Sequence, residues 1–204
     1  KSYHTQICRS RKERLEKDNK MLKLKLDIAE SENQRKDKII AKHNAEMAEK
    51  DKIIETLKQH LTLPTATWNL ERSASLRYIA NCYKQKNEKE KQEKYLYLAC
   101  LEAPTSREAY FELSVFYFEN KEFLKSAFFF EEMLKIKSRE LNYISSPICW
   151  SATPYDYLSL CYYEIGNYSK ALSNVNIALT LSNEQRLKDN KQFFLQKLKS
   201  NKNQ

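Results

Sequence analysis

The side chains able to do covalent or metal chemistry are few in this chain, and they stand apart. The three histidines are His4, His43 and His60, which gives no support to a Ser-His-Asp or Cys-His arrangement. The five cysteines, Cys8, Cys82, Cys100, Cys149 and Cys161, contain no Cys-x-x-Cys pair. One glycine, Gly166, is too few for a phosphate-cradling loop. The aspartates (Asp18, Asp27, Asp37, Asp51, Asp156 and Asp189) are scattered, so no Asp-x-Asp pair is available to hold a divalent cation against a diphosphate. The expectation is a chain with no catalytic residue, no metal ligand and no cofactor of its own. What remains is recognition, and the elements that position it.

Of 204 residues, 31% are charged and only five are Gly or Pro, which favours long helices over a sheet protein with its regular turns. The net charge of +9 is concentrated at the ends: residues 1–25 hold nine Lys/Arg against three Asp/Glu, and residues 183–204 hold six against two. Basic ends can hold phosphate backbones or anionic lipid, or they can simply be solvated. No aromatic-interleaved RNA motif or zinc-finger spacing accompanies them, so nucleic acid and membrane are not the expected partners. The unpatterned, odd set of cysteines fits a reducing, cytoplasmic setting. No apolar run reaches the ~18 residues of a membrane span.

Residues 1–61 lack Gly and Pro and carry a heptad pattern. One row holds Asn19, Leu26, Asn33, Ile40, Met47, Ile54 and Leu61. Its companion holds Leu15, Leu22, Ala29, Lys36, His43, Lys50 and Leu57. The motif Lys-Asp-Lys-Ile-Ile recurs at 36–40 and 50–54, two heptads apart, which returns each Ile pair to the same face. The seam predicts a parallel two-stranded coil with Asn33 as a register-setting polar residue. Lys36, His43 and Lys50 weaken it. A single amphipathic helix folding back on the remainder is the competing reading. Pro64 and its flanking threonines, within a linker at 62–69, end the helix.

Beyond the linker the chain repeats. Leu76, Ile79, Ala80, Tyr83, Asn87, Leu96 and Ala99 superimpose, after a shift of 34, on Tyr110, Leu113, Ser114, Tyr117, Lys121, Phe130 and Met133. A third copy carries Tyr155, Leu158, Ser159, Tyr162, Gly166, Tyr168, Ala171, Val175 and Ala178. Large residues surround a small one on the first helix, and a second helix follows: this is the tetratricopeptide pattern. It predicts an all-α fold, a long N-terminal helix followed by a solenoid of three helix pairs over about 70–85/88–102, 106–119/122–136 and 154–165/168–181. A capping helix at about 183–198 completes residues 70–204. Gln92 stands where a small residue is usual, so the first pair is expected to be looser. The third copy follows the second by 45 rather than 34, and the additional residues fall in about 137–150. Tyr143, Ile144, Ile148 and Trp150 are apolar for a loop. They either tuck over the junction of the second and third pairs or form a contact patch.

Residues 70–195 also resemble the helical region that follows the catalytic domain in some bacterial family 2 glycosyltransferases. The matching points are Ala103-Pro104 with Arg107-Glu108, Trp150, Pro154-Tyr155-Asp156, Gly166, and Arg186-Leu187 with Asn190. The resemblance implies an accessory role, with any catalytic domain lying before Lys1.

By analogy with tetratricopeptide modules, the first helix of each pair lines a concave face. Arg77, Asn81 and Lys84 stand there in the first copy, Phe111, Val115, Phe118 and Glu119 in the second, and Asp156, Leu160, Tyr163 and Glu164 in the third. Val115, Asp156 and Leu160 replace residues that a carboxylate clamp needs, which excludes that ligand. The surface grades from basic to aromatic to acidic and suits an extended segment of a protein, unless the N-terminal helix or the insertion covers it. The expected partners are therefore a peptide segment or an adjoining catalytic domain, together with a second copy through the N-terminal helix. No small-molecule site is evident.

Overall fold

A computed structural model describes the backbone of residues 2–202 and the side chains of residues 14–200. His4, Cys8 and the outermost basic residues, singled out above, lie outside the described side chains. Every regular element is helical: α1 (Ser2–Thr62), α2 (Asn69–Gln85), α3 (Lys89–Glu102), α4 (Arg107–Glu119), α5 (Phe123–Lys135), α6 (Thr153–Glu164), α7 (Tyr168–Leu181) and α8 (Gln185–Lys202), with a 3-10 turn at Pro147–Trp150. The fold is all-α, as the scarcity of breakers predicts. The described chain divides into two compact units, one ending at Lys50 and the other beginning at Asp51.

In the second unit α2/α3, α4/α5 and α6/α7 form three antiparallel pairs, and α8 packs on α7. The pairs are built alike because the repeated positions are buried alike. Ile79, Leu113 and Leu158 are sealed, as are Leu96, Phe130 and Val175 on the second helices, and Ala99, Met133 and Ala178 one turn later. Each of the larger ones contributes about 1.5–3 kcal/mol by leaving water, and the alanines less. Ala80, Ser114 and Ser159 are small where the helices cross, and the hydroxyls that burial introduces find backbone acceptors. Ser114 Oγ donates to the Tyr110 carbonyl at 2.7 Å and Ser126 Oγ to the Ser114 carbonyl at 2.8 Å.

The turns inside the three pairs also match. Asn87, Lys121 and Gly166 have φ of 58°, 61° and 82°, the left-handed region that ends a helix. The following amides, Glu88, Glu122 and Asn167, donate back to the carbonyls of Tyr83, Tyr117 and Tyr162. Those three tyrosines are buried, and each ring carries the ammonium of Lys91, Lys125 or Lys170 at 5.3, 4.9 or 4.6 Å from its centroid. One repeated tyrosine thus caps the first helix through its carbonyl and holds the second through its ring.

The last turns of α1 belong with the repeats. Ile54 is 4% exposed and packs with Ile79, Cys82 and Tyr83, flanked by Leu57 and Leu61. Lys86 and Asp51 form an ion pair beside them. The heptad reading gave Ile54, Leu57 and Leu61 to an intermolecular seam. They pack instead with Ile79, Cys82 and Tyr83 of α2, in a cluster that Tyr95 of α3 also joins. Arg72 closes the linker, donating to Glu102 at 2.6 Å and to the carbonyls of Leu61 and Ala66 at 2.9 and 3.3 Å.

Candidate recognition groove

A cavity of about 350 Å³ lies between α2 and α4, the first helices of successive pairs. Arg77, Asn81 and Lys84 form one wall at helical spacing, so that three side chains share a face. Phe111, Glu112, Val115 and Glu119 form the other wall. Gln92 and Leu96 of α3 are reached at the floor. Gln92 is buried and fills the crossing that Ser126 and Ala171 occupy in the later pairs; the extra length of its side chain brings a polar amide to the base of the cavity.

Two ion pairs bridge the walls. Arg77 Nη1 donates to Glu112 Oε1 at 2.6 Å, and Lys84 Nζ donates to Glu119 Oε2 at 2.6 Å, both across 35 residues of sequence. Asn81 lies exposed between them. The basic-to-acidic grading expected along this surface is therefore absent at its basic end, where each cation faces its own carboxylate. The chemistry on offer is hydrogen bonding and apolar contact. The neighbouring thiol of Cys100 is pushed up to about 12 by burial, reinforced by the Glu112 charge, so it stays protonated at neutral pH.

Five of the eight groove residues named from the sequence come together here: Arg77, Asn81, Lys84, Phe111 and Glu119. The other three point elsewhere. Phe118 packs edge-on against Tyr157 and Phe123, with centroids at 4.9 and 5.6 Å. Asp156 is buried and accepts from Arg186 Nη1 at 2.6 Å, while Tyr163 stacks on Phe194 at 5.4 Å. Both therefore anchor α8, which occupies the third-copy part of the face because the last pair needs a cover for Phe194-sized apolar surface. Glu112 and Tyr78 were missed. The signal for Glu112 was its interval from Arg77, the same as that from Lys84 to Glu119.

The insertion is held by the start of α4. Arg107 donates to the Ile136 carbonyl at 2.9 and 2.7 Å and to the Cys149 carbonyl at 3.1 Å, with the Trp150 ring 3.7 Å from its guanidinium carbon. Burial lowers the Arg107 pKa from its usual value. Glu108 accepts from the Ser146 amide at 2.9 Å. Trp150 is tucked in, whereas Tyr143 and Ile148 are exposed. Tyr143 reaches the first pair, donating to Glu71 at 3.1 Å and meeting the Trp68 ring at 5.6 Å. It does not cover the groove between Asn81 and Val115, which it does not line.

The fold is shared with solved structures of tetratricopeptide domains. The N-terminal domain of stress-induced protein-1 (STI-1) from C. elegans matches with a TM-score of 0.54 and 14% identity, over 62% of this chain and 96% of that one. The first TPR domain of human RPAP3 matches at 0.52 and 13%, over 64% and 95%. The Sgt2 TPR domain from Aspergillus fumigatus matches at 0.51 and 14%, over 65% and 82%. At these identities the likeness is one of fold. No protein-family model and no curated protein matches the chain. The glycosyltransferase resemblance gains no support from these comparisons. No helix among the described residues is long and apolar enough to cross a membrane, and none of their His, Cys, Asp and Glu side chains form a cluster able to hold a metal.

Proposed function

We propose that this chain is a non-catalytic interaction module whose α2–α4 groove takes an extended segment of a partner protein. One observation carries the reading: an open cavity of about 350 Å³ whose walls supply an exposed amide, Asn81, between two ion pairs, above a floor of Leu96 and the Gln92 amide. An extended backbone carries alternating donors and acceptors, and a side-chain amide can meet both. The satisfied charges disfavour a strongly charged ligand, because binding one would break a pair already made.

Peptides selected from a random display library on the intact chain provide the probe. Their affinity should fall at least tenfold on Asn81→Arg, which fills the groove without touching the core. Undiminished binding by that variant would remove the reading.

Self-association through α1 is a second part of this proposal. Leu15, Leu22, Leu26 and Ile40 each leave more than half of their surface exposed in a single chain, an unfavourable state for aligned apolar side chains. An accessory role beside a family 2 glycosyltransferase catalytic domain, and an independent adaptor role, both use the same groove. The first rests on the sequence resemblance alone, and an Asp-x-Asp-bearing α/β domain encoded upstream of Lys1 would distinguish it. The buried thiols suit the cytoplasmic setting proposed for either role.

A further inference from the structure

The packing of Ile54, Leu57 and Leu61 against α2 removes the last turns of the heptad seam from intermolecular use. Above them the seam runs from the exposed Leu15, Leu22, Leu26 and Ile40 to the half-buried Met47. We infer that this row pairs with the same row of a second copy of the chain, parallel and in register, between Leu15 and Met47. This rests on the reading that α1 self-associates, and adds its extent and the charge pairs that fix its direction.

Charge complementarity supplies the direction. In a parallel coil the residue before each position of the Asn19 row faces the residue five positions further on in the partner strand. That sets Asp18 opposite Lys23 and Lys25 opposite Glu30, each occurring twice by symmetry. Asn33 then meets Asn33, where two amides hydrogen-bond only when the strands are in register. Glu32 opposite Asp37 and Glu46 opposite Asp51 are the unfavourable contacts of this kind, and both lie below Asn33, where Lys36 and His43 already weaken the seam. An antiparallel arrangement over the same residues would oppose Glu30 to Glu30 and Glu32 to Glu32 at its midpoint, and would leave Asn33 against Ala29. Like charges at the centre make that orientation the worse one.

The test uses the full chain carrying Cys8→Ser, with either Leu22→Cys or Ile40→Cys added. Light scattering of the unmodified chain should give twice the chain mass. Oxidation should join Leu22→Cys chains to one another, since equivalent core positions adjoin in a parallel coil. Lys25→Glu should weaken the dimer several-fold, and Glu30→Lys added to it should restore the affinity. Disulfides that form only when Leu22→Cys and Ile40→Cys chains are mixed would overturn the parallel orientation while leaving self-association intact. A monomer mass at every concentration would overturn both.

Discussion

Arg77 and Glu112 meet across the groove at 2.6 Å, one from each of two successive first helices. The arginine side chain is 14% exposed and the glutamate 38%, whereas the parallel pair Lys84–Glu119 is 47% exposed on both sides. Partial burial makes the first pair a structural tie between α2 and α4 and leaves the second largely screened. Arg77→Met should therefore lower stability by about 1–2 kcal/mol, and Lys84→Met by less than about 0.5 kcal/mol. Urea denaturation followed through the fluorescence of Trp68 and Trp150 measures both.

The matched turns give an opposite pair of expectations. Lys121 holds φ of 61° with a side chain that resists it, so Lys121→Gly should stabilise the chain by about 0.5–1 kcal/mol. Gly166 has open space around its missing Cβ, so Gly166→Ala should cost about 1 kcal/mol through backbone strain alone. Thermal melts of the two variants should move in opposite directions.

Ile54 and Ile40 separate the two uses of α1. Ile54→Ala opens a cavity beside Ile79 and should cost about 2 kcal/mol or more in the repeat unit. Ile40→Ala, at a position 56% exposed within one chain, should leave the unfolding of that unit within about 0.5 kcal/mol of the parent. Equal losses at both positions would contradict the division at Lys50.

Alkaline pH should weaken the fold. Burial pushes the thiols of Cys100 and Cys149 up to about 12 and that of Cys161 to about 11. In the unfolded chain they ionise near the ordinary value of about 8.5. Below that pH both states are protonated and the stability is fully present. Above it the unfolded chain releases protons that the folded chain retains, so stability falls as pH rises toward the folded values, by up to about 1.4 kcal/mol per thiol per pH unit. Denaturation midpoints at pH 8 and pH 10 read the loss. A thiol reagent should label these cysteines only as fast as the chain unfolds, and immediate labelling would contradict their burial.

Much of this fold was legible in the chain because periodicity records burial. The 34-residue shift aligned Tyr83 with Tyr117 and Asn87 with Lys121, and the left-handed turns fall on the aligned positions. The cavity wall on α2 was readable in the chain and that on α4 only in part, since the helix face was read from Phe111 to Glu119 without Glu112. The third-copy residues were misplaced for a physical reason. Asp156 and Tyr163 stand at groove positions, but in the last pair that surface must bury α8, and Arg186 and Phe194 lie far along the chain from both. Heptad spacing likewise could not say whether Ile54 meets a second copy or α2, since an apolar stripe does not specify its cover.

The most direct test of the proposed recognition groove is where a bound segment lies. A photoreactive side chain at Asn81, within the cavity, should cross-link a library-selected peptide in high yield. The same group at Leu124, an exposed position on α5, should not. Capture at Leu124 with none at Asn81 would contradict the account.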